Sequence, residues 1–128
     1  MKVSELTGAK LDYWVAESLG AIRGPYKFPT AKRAVKDSIA FPDEFPFAAM
    51  HPSELFKPST NWSYGGPIIE SRRIQLNYRE HAYEGQEWAA QFFPSPAFPI
   101  YGYGPTPLIA AMRAFVASVY GDTVEDAV

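Results

Sequence analysis

The sequence predicts an α+β fold: a small antiparallel sheet packed with an N-terminal and a C-terminal helix, with a long proline-rich irregular segment between. Three observations carry that expectation. Apolar residues recur at helical spacing over residues 7–20 and again after Pro107. From Ile74 to Phe92 the period falls to two, as strands with one buried face require. Between these regions, Pro25, Pro29, Pro42, Pro46, Pro52 and Pro58 forbid a long helix or a central strand.

The first helix rests on Leu11, Trp14, Val15 and Leu19, which form one apolar stripe. Thr7 is a candidate N-cap, Leu6 a staple against Leu11, and Gly20 a left-handed stop. Over residues 21–59 the stretch 31–39 is expected to form either about two helical turns, the favoured reading, or a short extended segment. Phe41, Phe45, Phe47 and Phe56 lie among the prolines, and disordered segments are poor in such rings. The segment is therefore expected to drape over the domain and pin itself there with phenylalanines. Ser59 or Thr60 offers cap chemistry for a helix that Gly65 and Gly66 interrupt and Pro67 reopens, giving a broken or two-piece helix.

Ile74, Leu76 and Tyr78 then alternate with polar residues, as do Trp88, Ala90 and Phe92 on a second strand. The intervening turn at residues 81–86 makes these an antiparallel hairpin. A hairpin alone is marginal, so a third strand is expected from residues 21–58. Residues 94–105, with Phe98, Tyr101 and Tyr103, read as a Pro/Gly/aromatic loop. The last helix has a cap in Thr106, a first-turn proline in Pro107 and an end in Gly121. Leu108, Ile109, Met112, Phe115, Val116 and Val119 form its apolar face, and the tail from Asp122 is expected to fray.

The chain has 128 residues, the length of one domain, and a single domain over 1–128 is expected. It contains no cysteine, which excludes disulfides and thiolate metal sites. A net charge of −2 with interspersed signs gives no electrostatic case for duplex nucleic acid or an anionic membrane. No apolar run approaches the roughly 20 residues of a membrane span, and the opening residues do not resemble a signal peptide, so the cytoplasm is the expected location. Aromatics make up 16% of the chain, more than a small core needs, and a surplus of rings points to a partner surface.

Three blocks resemble a known family. The first is Lys-Val-Ser-Glu-Leu-Thr-Gly-Ala-Lys-Leu-Asp-Tyr-Trp-Val-Ala from Lys2 to Ala16. The second is Pro-Ser-Thr-Asn-Trp-Ser-Tyr-Gly-Gly-Pro-Ile-Ile-Glu from Pro58 to Glu70. The third is Tyr-Gly-Pro-Thr-Pro-Leu-Ile-Ala-Ala-Met-Arg-Ala-Phe-Val-Ala-Ser from Tyr103 to Ser118. In this order they resemble the NinX-like proteins of lambdoid and related phages. The resemblance implies a small phage accessory protein built from helices sandwiching a sheet, and it brings no catalytic residues. The proline-rich segment between the first two blocks departs from the shared pattern.

Chemical motifs are few. His51 and His81, near Glu54, Glu80 and Glu84, fit no zinc spacing and read as solvated loop residues. No Gly-x-Ser-x-Gly elbow is present. Gly65-Gly66 lacks a P-loop lysine, and its simplest reading is a close backbone approach. Lys32, Arg33 and Lys36 follow Tyr26-Lys27-Phe28 in a pattern that suits single strands, but Asp37 interrupts it and the acidic balance argues against nucleic acid. Arg113, alone in the last helix, is expected either to snorkel or to pair with Glu17 or Glu70.

These features point away from catalysis and toward binding, with no cofactor and no metal. The expected partner is a protein, either a second copy or a host or phage protein. The rival readings are a small-molecule or nucleotide site and a single-strand binder. The candidate binding residues are Trp62, Tyr64, Gly65 and Gly66 with Tyr101 and Tyr103, on two segments expected to adjoin.

Overall fold

A computed structural model describes residues 1–27, 32–34, 36–41, 50–95 and 98–125. Its described elements are three helices and two small antiparallel sheets, the α+β class that the sequence predicts. The helices are α1 (Gly8–Ser18), α2 (Trp62–Arg72) and α3 (Pro107–Tyr120). The first sheet has the order β1 (Ile22–Arg23), β2 (Ser38–Ala40), β3 (Met50–Pro52). The second has the order β4 (Gln75–Tyr78), β5 (Trp88–Ser95), β6 (Phe98–Gly104). Single 3-10 turns lie at Val3–Glu5 and Ser53–Leu55.

α3 is the middle layer. Its Thr106 side chain accepts from the Ile109 N–H, Pro107 opens it, and Gly121 ends it at φ 82°. Every side chain from Ala110 to Val116 is buried, so the helix is covered nearly all round. One side meets β6 so closely that a methyl on Gly102 would land on the Ala110 carbonyl oxygen and 2.6 Å from Ala114 N. Another meets α2, where Gly65 abuts Leu108. α1 also packs on α3, burying Leu11, Val15 and Ala16. The family resemblance implied a sheet sandwiched by helices; here a helix is sandwiched between a sheet and two other helices.

The hairpin of β4 and β5 forms as expected, in the register Leu76↔Ala90 and Tyr78↔Trp88. Its third strand is β6, paired as Ala90↔Gly102 and Gln91↔Tyr101, and not a segment from 21–58. The expectation of a loop over 94–105 is thus corrected for residues 98–104. Gly102 and Gly104 hid the alternation there: their positions face the core, but the helix backbone fills the space that side chains ordinarily take.

The proline-rich region builds its own sheet, with Ile39 opposite both Arg23 and His51. Ile39 lies on a strand, the extended one of the two alternatives open for 31–39, of which Ala31 and Val35 fall outside the described residues. Phe41 and Phe56 are fully buried and do pin the segment down; Phe45 and Phe47 lie outside the described residues.

α2 corrects a further expectation, because Gly65, Gly66 and Pro67 lie within one continuous helix. Pro67 forfeits the bond to the carbonyl four residues back. Tertiary packing outweighs that loss: Ile68 is fully buried and Gly65 fits between Leu108 and the Pro58 carbonyl. The cap is Asn61, whose side chain accepts from Ser63 N at 2.9 Å, and not Ser59 or Thr60. The described part of the tail departs from a frayed end. Val124 is buried and donates its N–H to Met1, while Asp122 accepts from Val3, so residues 122–124 pair with the N-terminal segment. Residues 126–128 lie outside the described residues.

Candidate functional site

The six candidate residues fall on two different sides of α3. Gly65 touches Leu108, and the Arg72 guanidinium lies over the Phe115 ring, so α2 takes the side carrying Leu108 and Phe115. β6 takes the side carrying Ala110 and Ala114. At about 100° per residue these directions are roughly 130° apart around the helix. The two segments therefore reach α3 from different directions.

On α2, Gly65 is a packing glycine. A side chain there would meet Leu108 Cδ2 and the Pro58 carbonyl, each at 2.5 Å. Gly66 beside it has no such neighbour, only Trp62 at 3.8 Å. Tyr64 belongs to an aromatic cluster, edge-on to Phe56 at 5.2 Å and to His51 at 5.5 Å. Trp62 is exposed.

On β6, Tyr101 and Tyr103 project from the face of the sheet opposite α3, with 50% and 39% of their surfaces exposed. Gln91 Nε2 donates to the Tyr101 hydroxyl at 3.3 Å, and the Arg79 guanidinium stacks on Tyr103 at 4.8 Å. Phe93 and Phe98, at the far end of the same strands, are exposed as well. Beside β6 lies a cavity of about 360 Å³ reached by Lys2, Tyr101, Tyr103 and Arg113.

Arg113 is the functional-looking residue that sequence reasoning placed least well. It is only 8% exposed, and its partners are two carbonyls, not Glu17 or Glu70. Nε donates to Leu6 O at 3.0 Å and NH1 to Tyr103 O at 2.7 Å. Burial lowers its pKa from the ordinary guanidinium value. Glu17 instead pairs with Arg23 at 2.9 Å.

His51 also departs from the solvated loop residue expected. It sits on β3 among Phe41, Phe56 and Tyr64, and burial pulls its pKa below the usual histidine range. His81 is exposed in the β4–β5 turn. Among the described residues, no three His, Asp or Glu side chains gather as a metal site. No described helix is long and apolar enough to cross a membrane.

A second site went unread in the sequence. Between α1 and the β1–β2–β3 sheet lies a cleft of about 440 Å³. Asp12, 8% exposed, lines it, and its Oδ1 accepts from the Ser59 N–H at 2.8 Å. Burial raises the pKa of this carboxyl, against the opposing pull of its hydrogen bonding with Ser59 and of the Lys57 charge. Beside it the Arg23 guanidinium lies over the Tyr13 ring at 4.5 Å.

The fold thus defines a small α+β protein with one open, aromatic sheet face and one cleft holding a buried carboxylate. The family described as Bacteriophage P22, NinX matches residues 2–119, and the chain belongs to that family of phage proteins. The matched span takes in the proline-rich segment, which the sequence reading had set apart from the shared pattern. No curated protein matches the chain.

Proposed function

We propose that this phage protein is a non-enzymatic accessory factor that acts in the host cytoplasm by binding another protein through the open face of the β4–β5–β6 sheet. The observation that carries the reading is the exposure of Tyr101 and Tyr103 two residues apart on one strand, on the face turned away from α3. A sheet that packs one face on a helix ordinarily turns a polar face to water. Here that face offers two tyrosines and Phe93, flanked by Gln75, Asn77 and Gln91. Rigid rings ringed by amides and a stacked arginine have the composition of a protein-binding patch: large contact area, little entropy to lose, and hydrogen bonds at the rim. Trp62 and Tyr64 are not part of this surface.

The partner is a host or phage protein, or a second copy of the chain. The test is a Tyr101→Ser/Tyr103→Ser double variant. It should melt within about 2 °C of the parent, since exposed rings contribute little to folding. It should also lose the complexes that the parent forms on tagged purification from infected cells, and any self-association seen by sedimentation at tens of micromolar. A variant that keeps every complex, or one that unfolds, overturns the reading.

A further inference from the structure

We propose that the cleft between α1 and the β1–β2–β3 sheet is a small-molecule site that takes a guanine-type nucleotide, with Asp12 receiving the N–H edge of the base and Lys57 the phosphate. This site is separate from the sheet face and does not depend on the role given to it.

The argument begins with Asp12. A carboxylate taken out of water is costly unless donors surround it. Asp12 is nearly buried, yet Ser59 supplies its donor, a backbone N–H on Oδ1, and no lysine or arginine among the described residues closes an ion pair with it. The Arg23 guanidinium, which also lines the cleft, is already committed to Glu17 and to the Tyr13 ring. A carboxylate can accept about four hydrogen bonds, so capacity remains on the side that lines the cleft.

The walls restrict what can supply those donors. Ala9, Ala16, Ile39, Phe56 and Tyr13 give the cleft an apolar interior, and its volume of about 440 Å³ is that of ordinary ligand sites. An apolar slot bounded by aromatic rings suits a flat ring system. Charge then selects among flat molecules. Arg23 and Lys57 line the cleft together with Asp12 and Glu54, so its formal charges balance, and a neutral group can supply the donors facing Asp12 without upsetting that balance. The same lysine favours an anionic tail, and Glu54, exposed at the rim, can accept from sugar hydroxyls. A neutral heterocycle with adjacent N–H donors and a phosphate tail satisfies all of these at once. The guanine edge has that donor pair, whereas adenine presents a ring acceptor that would meet the carboxylate lone pairs.

Asp12→Asn isolates the claim. The amide oxygen still accepts from Ser59 N–H, while the charge and half of the accepting capacity go. Calorimetric titration of the full chain with GMP should show one saturable site, weakened about tenfold or more with AMP. Asp12→Asn should weaken GMP by a similar factor with unchanged circular dichroism. Ala9→Trp, at an exposed position of α1 that lines the cleft, should block GMP without touching Asp12. Absence of saturable GMP binding at millimolar concentration, equal affinity for AMP, or full affinity in the folded Asp12→Asn protein would each overturn the assignment.

Discussion

Arg113 Nε donates a 3.0 Å hydrogen bond to the carbonyl of Leu6, tying the last helix to a residue 107 positions earlier in the chain. The same guanidinium reaches the Tyr103 carbonyl at 2.7 Å, so one side chain joins the N-terminal segment, α3 and the edge strand β6. It also covers part of a sheet edge that would otherwise offer a free acceptor to another chain. Arg113→Met keeps the bulk and leaves two carbonyls without their donor, at a cost of about 2–3 kcal/mol. Arg113→Lys should recover part of this, because a single ammonium cannot reproduce the fork that serves two separate segments. Urea unfolding decides the matter: a Met variant as stable as the parent would show the bonds to be incidental.

Phe115 is 2% exposed in the centre of the core, with the Arg72 guanidinium over its ring at 5.1 Å. Phe115→Ala should lose about 3–5 kcal/mol, a large share of the stability of an ordinary domain. Trp14 and Trp88 are only half-buried and lie toward different ends of α3. Trp14 stacks on Tyr120 at 5.2 Å, and Trp88 pairs with Gly104, which abuts Ile109. Trp14→Ala and Trp88→Ala should each therefore cost less than Phe115→Ala in the same denaturation assay.

What the sequence discloses follows local chemistry. α3 is legible because its cap, first-turn proline, stop and apolar period all lie within the element, in Thr106, Pro107 and Gly121. α1 and the hairpin are legible from their apolar periods, since the Thr7 side chain makes no cap hydrogen bond. β6 is illegible because its core-facing positions include Gly102 and Gly104, which carry no apolar signal and are buried by the backbone of α3. α2 reads as broken because Gly-Gly-Pro is a local stop signal that contacts with Pro58 and Leu108 override. Of the candidate site, the exposure of Tyr101 and Tyr103 was legible as an aromatic surplus. Asp12 was not: its partner is a backbone N–H 47 residues away, and backbone donors leave no mark in a sequence.

Asp12 also predicts a pH dependence. Its folded pKa is raised above 3.8, chiefly by burial, so the folded state holds the proton more tightly than the unfolded chain. Stability from this group is therefore fully present below the unfolded value and is lost as pH rises through the folded pKa. Asp12→Asn cannot titrate and keeps the acceptor for Ser59. Melting curves of both proteins from about pH 3.5 to 8 should show the parent losing ground to the variant as pH rises above the ordinary aspartate value, then a constant difference. A difference that moves the other way would mean that donors in the fold favour the ionised carboxylate more than burial penalises it.

The glycine pair gives two adjacent positions with opposite expected signs. Both lie inside α2, where a glycine costs about 0.5–1 kcal/mol relative to alanine through backbone entropy. Gly66→Ala adds a methyl whose nearest neighbour is Trp62 at 3.8 Å, an ordinary contact, so it should stabilise the protein by about that amount. Gly65→Ala gains the same entropy but places its methyl 2.5 Å from both Leu108 Cδ2 and the Pro58 carbonyl oxygen. Leu108 can rotate, whereas the Pro58 backbone is fixed by its buried position beside Ser59, so α2 must shift away from Pro58. Overpacking of this kind costs about 1–3 kcal/mol, which exceeds the entropy gained. Thermal melts of the two single variants should therefore lie on opposite sides of the parent. If the pair existed to bring backbone amides to a ligand, both variants would impair binding and neither sign in stability would be required. A Gly65→Ala protein as stable as Gly66→Ala would show that the close approach to Pro58 is not what fixes glycine at position 65.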